Sequence, residues 1–360
     1  MDLFTPVVLG ELQLRNRIVM APMTRSRADG EAMPNALMVE YYRQRAGAGL
    51  IITEGIAPSA DGLGYCRTPG IYSAEQVQAW QRVTAAVHAE GGHIVAQLMH
   101  VGRVASHYNK PAGAETVAPS AVPARGEIYT DQAGMQPMDD PRALTTEQVA
   151  GVIEEYRKAT ENALEAGFDG VELHCTSGYL PAQFLSTGSN RRQDQYGGNV
   201  ANRCRFVLEA LTAMSSVAGS GRVGMRICPD NPFNDLADAN PEETFDYLLE
   251  QAADLALAYL HVIRMPGGRV DNLALGQRWF AGRLIANDSF SMEEANSVIA
   301  AGELAAVSFG RGFIANPDLP ERWRKGRELA KFDASTLYLS LIHISEPTRR
   351  RDSSRMPSSA

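Results

Sequence analysis

The sequence predicts an α/β fold in which eight parallel strands and their helices form one (β/α)8 TIM barrel. Short β-branched or apolar runs recur along the chain, and helical patterns lie between most of them. The eight runs occupy residues 17–23, 50–55, 93–100, 170–175, 222–228, 259–264, 282–288 and 305–311. A doubly wound open sheet is the alternative, but no GxGxxG turn follows the first run.

The helical patterns carry recognisable start and stop signals. The pattern over residues 74–90 follows Ser73, a residue type that caps helix N-termini. The last pattern, at 317–325, is expected to begin at Pro317 with Asn316 as its cap. Further helices are expected at about 146–166, 201–217, 241–257 and 291–301.

Three segments lie outside the repeated pattern. Residues 7–16 predict a β-hairpin that caps the barrel. Residues 101–145 form a long irregular stretch after the third strand, which in a barrel is expected to be a lid over the active face. Residues 1–335 are therefore expected to form a single domain, whereas the Arg- and Ser-rich residues 340–360 are expected to be a non-native or disordered tail.

Composition excludes several classes of function. The chain has 360 residues, 44% apolar and 21% charged, with a net charge of −8, and no basic stripe favours nucleic acid or an anionic membrane. No signal peptide is expected from the first residues, and no run of 18 apolar residues is present. The four cysteines form no CxxC pair, which favours a reducing, cytoplasmic compartment. The histidines show neither HxH nor HExxH, so no metal is expected.

Polar residues at the C-terminal ends of barrel strands are candidates for chemistry, because that end opens into the pocket. Thr24 follows the first strand, as a donor to a ligand carbonyl or as a turn cap. Gln97 on the third strand offers a donor and an acceptor side by side, which suits the imide edge of a planar ring. For His100 on the same strand, a structural role is preferred.

The fourth and fifth strands supply the candidate acid and cation. The fourth ends at His174, and Tyr179 follows five residues later; they are either a hydrogen-bond donor and a general acid, or a strand cap and a packing residue. Arg226 lies within the fifth strand, where it either faces a bound anion or forms an internal ion pair.

A phosphate site is predicted after the eighth strand. The Gly310-Arg311 pair allows backbone N–H groups and a guanidinium to approach an anion, although a tight turn with a surface arginine is the simpler alternative. A phosphate here, a planar polar ring near the first, third and fifth strands, and an acid from the fourth match FMN.

Several blocks in order are similar to the Old Yellow Enzyme family of FMN-dependent alkene reductases, in its N-ethylmaleimide reductase-like branch. The similarity runs from about residue 2 to about residue 330. The blocks include NRIVMAPMTRSRA at 16–28, HAEGGHIVAQLMHVGR at 88–103, EAGFDGVELH and SGYL within 165–180, and FGRGFIANPDLP at 309–320.

This resemblance implies non-covalent FMN, with NADPH or NADH as the hydride donor, in a two-stage ping-pong reaction. The implied cofactor-binding residues are Pro22, Met23, Thr24, Gly55, Gln97, Arg226, Asp288, Gly310 and Arg311. His174 would hold the oxygen of the substrate with Ser177, Tyr179 would donate the proton, and Tyr65 and Met99 would line the substrate side. The implied substrates are enones, enals, maleimides, quinones or nitro compounds, and the chain would be a monomer or a homo-oligomer.

Three positions depart from the family pattern. Ser177 stands where the family usually has His or Asn, and Met99 where it usually has Trp. Asp288 lies in the phosphate turn, where small residues or Gly are usual, and its charge opposes a phosphate unless the side chain points away. The alternatives are a non-catalytic or impaired flavin-binding barrel, and a cofactor-free barrel lyase that uses His174 and Tyr179.

Overall fold

A computed structural model describes residues 1–334, and a closed barrel of eight strands is its central feature. The strands are β1 (Val7–Leu9), β2 (Leu12–Leu14), β3 (Ile18–Met20), β4 (Leu50–Ile56), β5 (Ile94–Leu98), β6 (Val117–Ala118), β7 (Glu127–Thr130), β8 (Gly134–Pro137), β9 (Arg142–Ala143), β10 (Gly170–Cys175), β11 (Val223–Ile227), β12 (Tyr259–Ile263), β13 (Leu284–Asn287) and β14 (Ala306–Phe309). The barrel runs in the order β3, β4, β5, β10, β11, β12, β13, β14 and back to β3, with every neighbouring pair parallel. The predicted barrel is confirmed, and the predicted tail at 340–360 lies outside the described residues.

Helices cover the outside of the barrel. They are α1 (Ala36–Arg43), α2 (Ala74–Ala89), α3 (Thr146–Glu165), α4 (Leu180–Leu185), α5 (Val200–Ala218), α6 (Pro241–Ala253), α7 (Asn272–Phe280), α8 (Met292–Ala300), α9 (Arg311–Ala315) and α10 (Leu319–Arg324). The predicted cap of α2 is confirmed: Ser73 Oγ accepts from the Gln76 backbone N–H, and Gln76 Oε1 accepts from the Ser73 N–H, both at 3.2 Å. In residues 1–334, no helix is both long and apolar enough to cross a membrane.

The predicted start of the last helix is wrong. Helix α10 begins at Leu319 after Asp318, two residues later than the prediction of Pro317. Asn316 does not cap it, because its buried side chain bonds elsewhere: Nδ2 donates to the Ala330 carbonyl at 3.2 Å, and Oδ1 accepts from the Ala330 N–H at 2.7 Å. The side chain therefore ties the segment after α10 to the end of α9, a role that local sequence signals do not reveal.

The N-terminal hairpin closes one end of the barrel. Strands β1 and β2 pair antiparallel with Val7 opposite Leu14. The buried leucines of the hairpin pack on the apolar residues with which the barrel strands begin, namely Leu9, Leu12 and Leu14 on Val19, Leu50, Ile52, Val95, Tyr259, Ile285 and Ala306. The hairpin predicted at 7–16 is thus confirmed as an apolar plug, and this leaves the opposite end of the barrel for a site.

The 101–145 segment lies across the opposite end and is more regular than predicted. Strands β7 and β8 within it form an antiparallel hairpin. The buried Arg103 guanidinium donates to the Asp235 carbonyl at 2.7 Å, and Lys110 Nζ donates to the Asp61 carbonyl at 2.7 Å. Since Asp235 follows β11 and Asp61 follows β4, the segment bridges two loops on the C-terminal side of the barrel.

Candidate active site

A cavity of about 960 Å³ opens at the C-terminal ends of the barrel strands. Its wall is formed by side chains from loops or strands that are far apart in sequence. Of the predicted site residues, the wall includes Pro22, Met23, Thr24, Gln97, Met99, His174, Ser177, Tyr179, Arg226, Asp288, Gly310 and Arg311. The barrel topology brings these residues together because parallel strands all present their carboxyl ends at one face.

Two predicted residues lie just behind this wall. Gly55 packs against Met99, whose side chain fills the space that a Cβ at residue 55 would need. Tyr65 packs with Met99 and Tyr179 in one apolar cluster. His100 is buried, and its Nδ1 accepts a backbone hydrogen bond from its own loop, which agrees with the structural role preferred from sequence.

The end of β10 places an imidazole beside a phenol. His174 is the penultimate residue of β10, and Tyr179 immediately precedes α4, so a short turn brings their ring centroids within 5.0 Å. The Tyr179 hydroxyl donates to the Tyr65 hydroxyl at 3.2 Å. His174 Nδ1 is buried and has no hydrogen-bond partner among the described residues, so a bound ligand would supply what the protein does not.

The charge state of His174 is set by its surroundings. Burial, and then the nearby Arg226 cation, lower the pKa of His174 to about 3. The ring is therefore neutral at physiological pH, with one N–H donor and one acceptor. It is suited to hold an oxygen atom by a hydrogen bond and unsuited to deliver a proton.

The turn between His174 and Tyr179 has an unusual backbone. Ser177 and Gly178 both adopt left-handed conformations, with φ of +58° and +81°. The Asn234 side chain, from the loop after β11, donates to the Ser177 carbonyl at 2.7 Å. A Cβ at residue 178 would lie 2.5 Å from Asn234 Cβ, so glycine is required there. The turn is held from outside the cavity, and Ser177 remains on the cavity wall.

At the centre of the barrel, Gln97 and Arg226 each have protein partners and also line the cavity. Gln97 Nε2 donates to Glu172 Oε1 at 2.7 Å. Arg226 donates to Asn287 Oδ1 at 2.7 Å and lies within 3.3 Å of both ring nitrogens of His261. These partners are uncharged, so they differ from the internal ion pair considered as the alternative for Arg226, and the five N–H donors of the guanidinium leave others for a ligand.

Sequence analysis missed Glu172, His261 and Asn287. A signal was present, because Glu172 and His174 alternate with apolar residues along β10 and so share the inward face of the barrel. Strands β12 and β13, which are not adjacent to β10 in the barrel, supply the other two residues, and this spatial order could not be read from sequence.

The turn after β13 faces the start of α9. Arg311 donates to Ser289 Oγ at 3.0 Å and lies 3.5 Å from the Asp288 carboxylate. Arg264, also missed from sequence, donates to the Asp288 carbonyl at 2.6 Å and the Ser289 carbonyl at 2.8 Å, and stacks on the Phe290 ring. The turn is thus held by one arginine behind it, while a second arginine lies on the cavity side.

These features fit FMN. Among the cationic side chains of the cavity wall, Arg226 lies at the barrel centre and Arg311 at the start of α9, an arrangement that suits a planar ring with a phosphate. The orphaned His174 Nδ1 lies on the same wall. Among residues 1–334, no group of three or more His, Cys, Asp or Glu side chains is placed to hold a metal ion.

Comparison with known sequences gives the family. The model of the NADH:flavin oxidoreductase / NADH oxidase family matches residues 2–330. The chain belongs to this family. A probable flavin mononucleotide-dependent alkene reductase of Leishmania infantum is 40% identical over 341 residues, covering 92% of this chain and 93% of the relative. A flavin oxidoreductase of Emericella nidulans is 39% identical and covers 93% and 94% of the two chains.

Solved structures of the family agree with the barrel. Morphinone reductase superposes with a TM-score of 0.89 at 43% identity, covering 94% of this chain and 93% of that one. The Old Yellow Enzyme homologue from Zymomonas mobilis superposes with a TM-score of 0.89 at 38% identity, with 94% and 97% covered. The predicted Old Yellow Enzyme resemblance is confirmed, and the chain is an FMN-dependent NAD(P)H oxidoreductase.

Proposed function

We propose that this oxidoreductase reduces carbon–carbon double bonds activated by a carbonyl or nitro group, in enones, enals, maleimides, quinones or nitroalkenes. The names of two relatives, an alkene reductase and morphinone reductase, support this class of substrate. The observation that carries the proposal is the pairing of a neutral imidazole with a phenol, His174 and Tyr179, on one cavity wall.

The cofactor site is assigned to the same cavity. Thr24, Gln97 and Arg226 would hold the ring system of FMN, and Gly310 and Arg311 would hold its phosphate. When bound, FMN accepts a hydride from NAD(P)H and passes it to the β-carbon of the substrate, whereas the protein supplies position and electrostatics.

His174 and Tyr179 divide the remaining work. The neutral His174 donates a hydrogen bond to the carbonyl or nitro oxygen, and the Ser177 hydroxyl adds a second donor from the same wall. A hydrogen bond to this oxygen withdraws electron density from the alkene and favours attack at the β-carbon. The phenol of Tyr179 then donates its proton to the strongly basic α-carbon.

The alternatives from sequence are less favoured. A cofactor-free lyase would have no use for a cavity with one cation at the barrel centre and another at the start of α9, and it does not agree with family membership. A non-catalytic flavin-binding barrel would also bind FMN, so only a turnover assay distinguishes it from the proposed alkene reductase.

A visible absorption spectrum tests the proposal. The purified protein, supplied with FMN, is expected to be yellow, to bleach on anaerobic addition of NADPH or NADH, and to recover its colour with 2-cyclohexenone. Bleaching without recovery of colour by an enone, an enal, a maleimide, a quinone or a nitroalkene would contradict the proposed substrates. It would then favour the alternative of a flavin-binding barrel that does not reduce these compounds.

Tyr179→Phe tests the assigned acid. This variant is expected to slow the recovery of colour by about 10²–10⁴-fold, the usual contribution of a general acid, while bleaching by NADPH stays within about twofold. Tyr72→Phe is the matched control, because Tyr72 packs in a separate apolar cluster. An equal loss in both stages for Tyr179→Phe would refute the acid role.

A further inference from the structure

A layer of buried polar side chains lies between the apolar plug and the cavity. Glu172 and His261 are wholly inaccessible to solvent, and Gln97 and Ser308 nearly so. TIM-barrel interiors are ordinarily filled by branched apolar residues. A polar layer therefore needs an explanation beyond packing, since burying unneeded polar groups costs stability.

Glu172 is the hub of this layer. Its Oε1 accepts from Gln97 Nε2 at 2.7 Å, and its Oε2 lies 3.0 Å from His261 Nδ1. His261 Nε2 lies 2.8 Å from the Ser308 hydroxyl, and one nitrogen of the Arg226 guanidinium lies 3.2 Å from the same Nε2. Both groups that the barrel centre presents to the cavity, Gln97 and Arg226, thus connect to one carboxylate.

The protonation states follow from the contacts. Burial opposes the charged form of Glu172, but His261, Arg226 and Gln97 together outweigh it and hold the pKa of Glu172 below its usual value. Burial, and then Arg226, lower the pKa of His261 to about 4, so this ring is neutral. Nδ1 therefore carries the proton donated to Glu172, and Nε2 accepts from the Ser308 hydroxyl.

An ionised carboxylate only accepts hydrogen bonds, and this fixes the orientation of the Gln97 amide. Its nitrogen must face Glu172, which leaves Oε1 as an acceptor for a ligand N–H. With a neutral acid or amide at position 172, either end of the Gln97 side chain would find a partner there. Glu172 likewise offsets the buried charge of Arg226 through His261.

We propose that Glu172 is a positioning residue of the flavin site: it fixes the amide orientation of Gln97, and it offsets the Arg226 charge that favours electron uptake by the cofactor. This inference rests on the assignment of the FMN site to this cavity. It predicts that Glu172 affects two separate quantities, the dissociation constant of FMN and the reduction potential of bound FMN.

Two readouts on the holoenzyme measure these quantities. For Glu172→Gln, the dissociation constant of FMN, measured by flavin fluorescence, is expected to rise at least tenfold. The midpoint potential of bound FMN is expected to become more positive, because a group that gains electrons is easier to reduce when a nearby negative charge is removed. A tenfold preference for the reduced form corresponds to about 30 mV for two electrons.

Matched variants separate charge, position and folding. Asp246→Asn removes a carboxylate on α6, which bonds Arg278 and Trp279 outside this layer; it should change neither readout. Glu172→Asp keeps the charge but shortens the reach, so it should weaken FMN binding while the potential stays near the parent value. If Glu172→Gln does not fold, Glu172→Asp carries the test.

A double-variant cycle with Gln97→Ala decides whether Glu172 acts through Gln97. Once Gln97 is gone, Glu172→Asp is expected to weaken FMN binding at least fivefold less than it does in the parent. Additive losses, or an unshifted potential in Glu172→Gln, would overturn the proposal. Unchanged FMN affinity in Gln97→Ala alone would instead overturn the assignment of the site, which keeps the two failures distinct.

Discussion

Removal of the Asp288 charge is expected to strengthen FMN binding. Asp288 lies 3.5 Å from Arg311, and the two side chains are 48% and 63% exposed. The carboxylate therefore pairs with the guanidinium that we assign to the phosphate, and it competes with the phosphate for this group. A half-exposed pair of this kind is worth about 0–1 kcal/mol. Repulsion between the carboxylate and a phosphate on the same arginine adds about 1 kcal/mol in largely aqueous surroundings.

Asp288→Asn isolates this effect. The backbone at residue 288 has φ of +86°, a conformation that Asn tolerates better than most residues. The sum of about 1–2 kcal/mol corresponds to a five- to thirtyfold lower dissociation constant for FMN. Asp230→Asn is the control, since Asp230 also has positive φ, at +61°, and its carboxylate bonds Arg269 rather than Arg311.

Fluorescence titration of FMN at low and high salt checks the reasoning. The gain should be largest near 0.05 M salt and shrink towards about 0.5 M, because added ions screen exposed charges. If Asp288→Asn and the parent agree within twofold at low salt, the carboxylate does not compete for Arg311. A gain that Asp230→Asn shares would also contradict the reasoning, since it would not be specific to the phosphate turn.

Three further outcomes are expected. Ser177→Asn suits the left-handed backbone at this position and adds an amide donor, so it should lower the KM for 2-cyclohexenone several-fold in steady-state assays. A higher KM would argue against Ser177 facing the substrate. Arg264→Lys, which replaces the planar fork on the carbonyls of the phosphate turn, should raise the FMN dissociation constant about tenfold by fluorescence titration, and unchanged binding would exclude that support. The pKa values of His100, His174 and His261 are lowered to about 3, 3 and 4, chiefly by burial, so on acidification the unfolded chain takes up protons that the folded chain does not. Urea titrations should therefore show a free energy of unfolding that is unaffected by these histidines above about pH 6.5 and falls towards pH 4. A flat profile over this range would refute the prediction.

The barrel could be predicted because its signals are local. Each apolar run and each cap, such as Ser73 before α2, depends on residues within a few positions of one another. The predicted start of α10 was wrong because the Asn316 side chain hydrogen-bonds the backbone of Ala330, 14 residues later, and does not cap the helix. A local reading has no access to that bond.

The candidate site was predictable in part for the same reason. Strand ends identify which residues reach the cavity, so His174 and Arg226 were found. The buried partners were not, because the contact between Glu172 and His261 depends on the tilt and register of β10 and β12, strands that are not neighbours in the barrel. The sequence of one strand does not show which residue of a non-adjacent strand its polar side chains contact.

The contact between Gly55 and Met99 links two positions in evolution. A Cβ at residue 55 would lie 2.6 Å from Met99 Cε and 2.9 Å from Met99 Cβ. Rotation of the methionine side chain relieves the first clash but leaves the second, because a rotamer change does not move Cβ. A lineage that acquired any larger residue at position 55 would also have to shift the backbone at the end of β5. Side chains at position 99 can therefore vary only if they fit over a glycine, and the shape of the cavity wall can change only while Gly55 is retained.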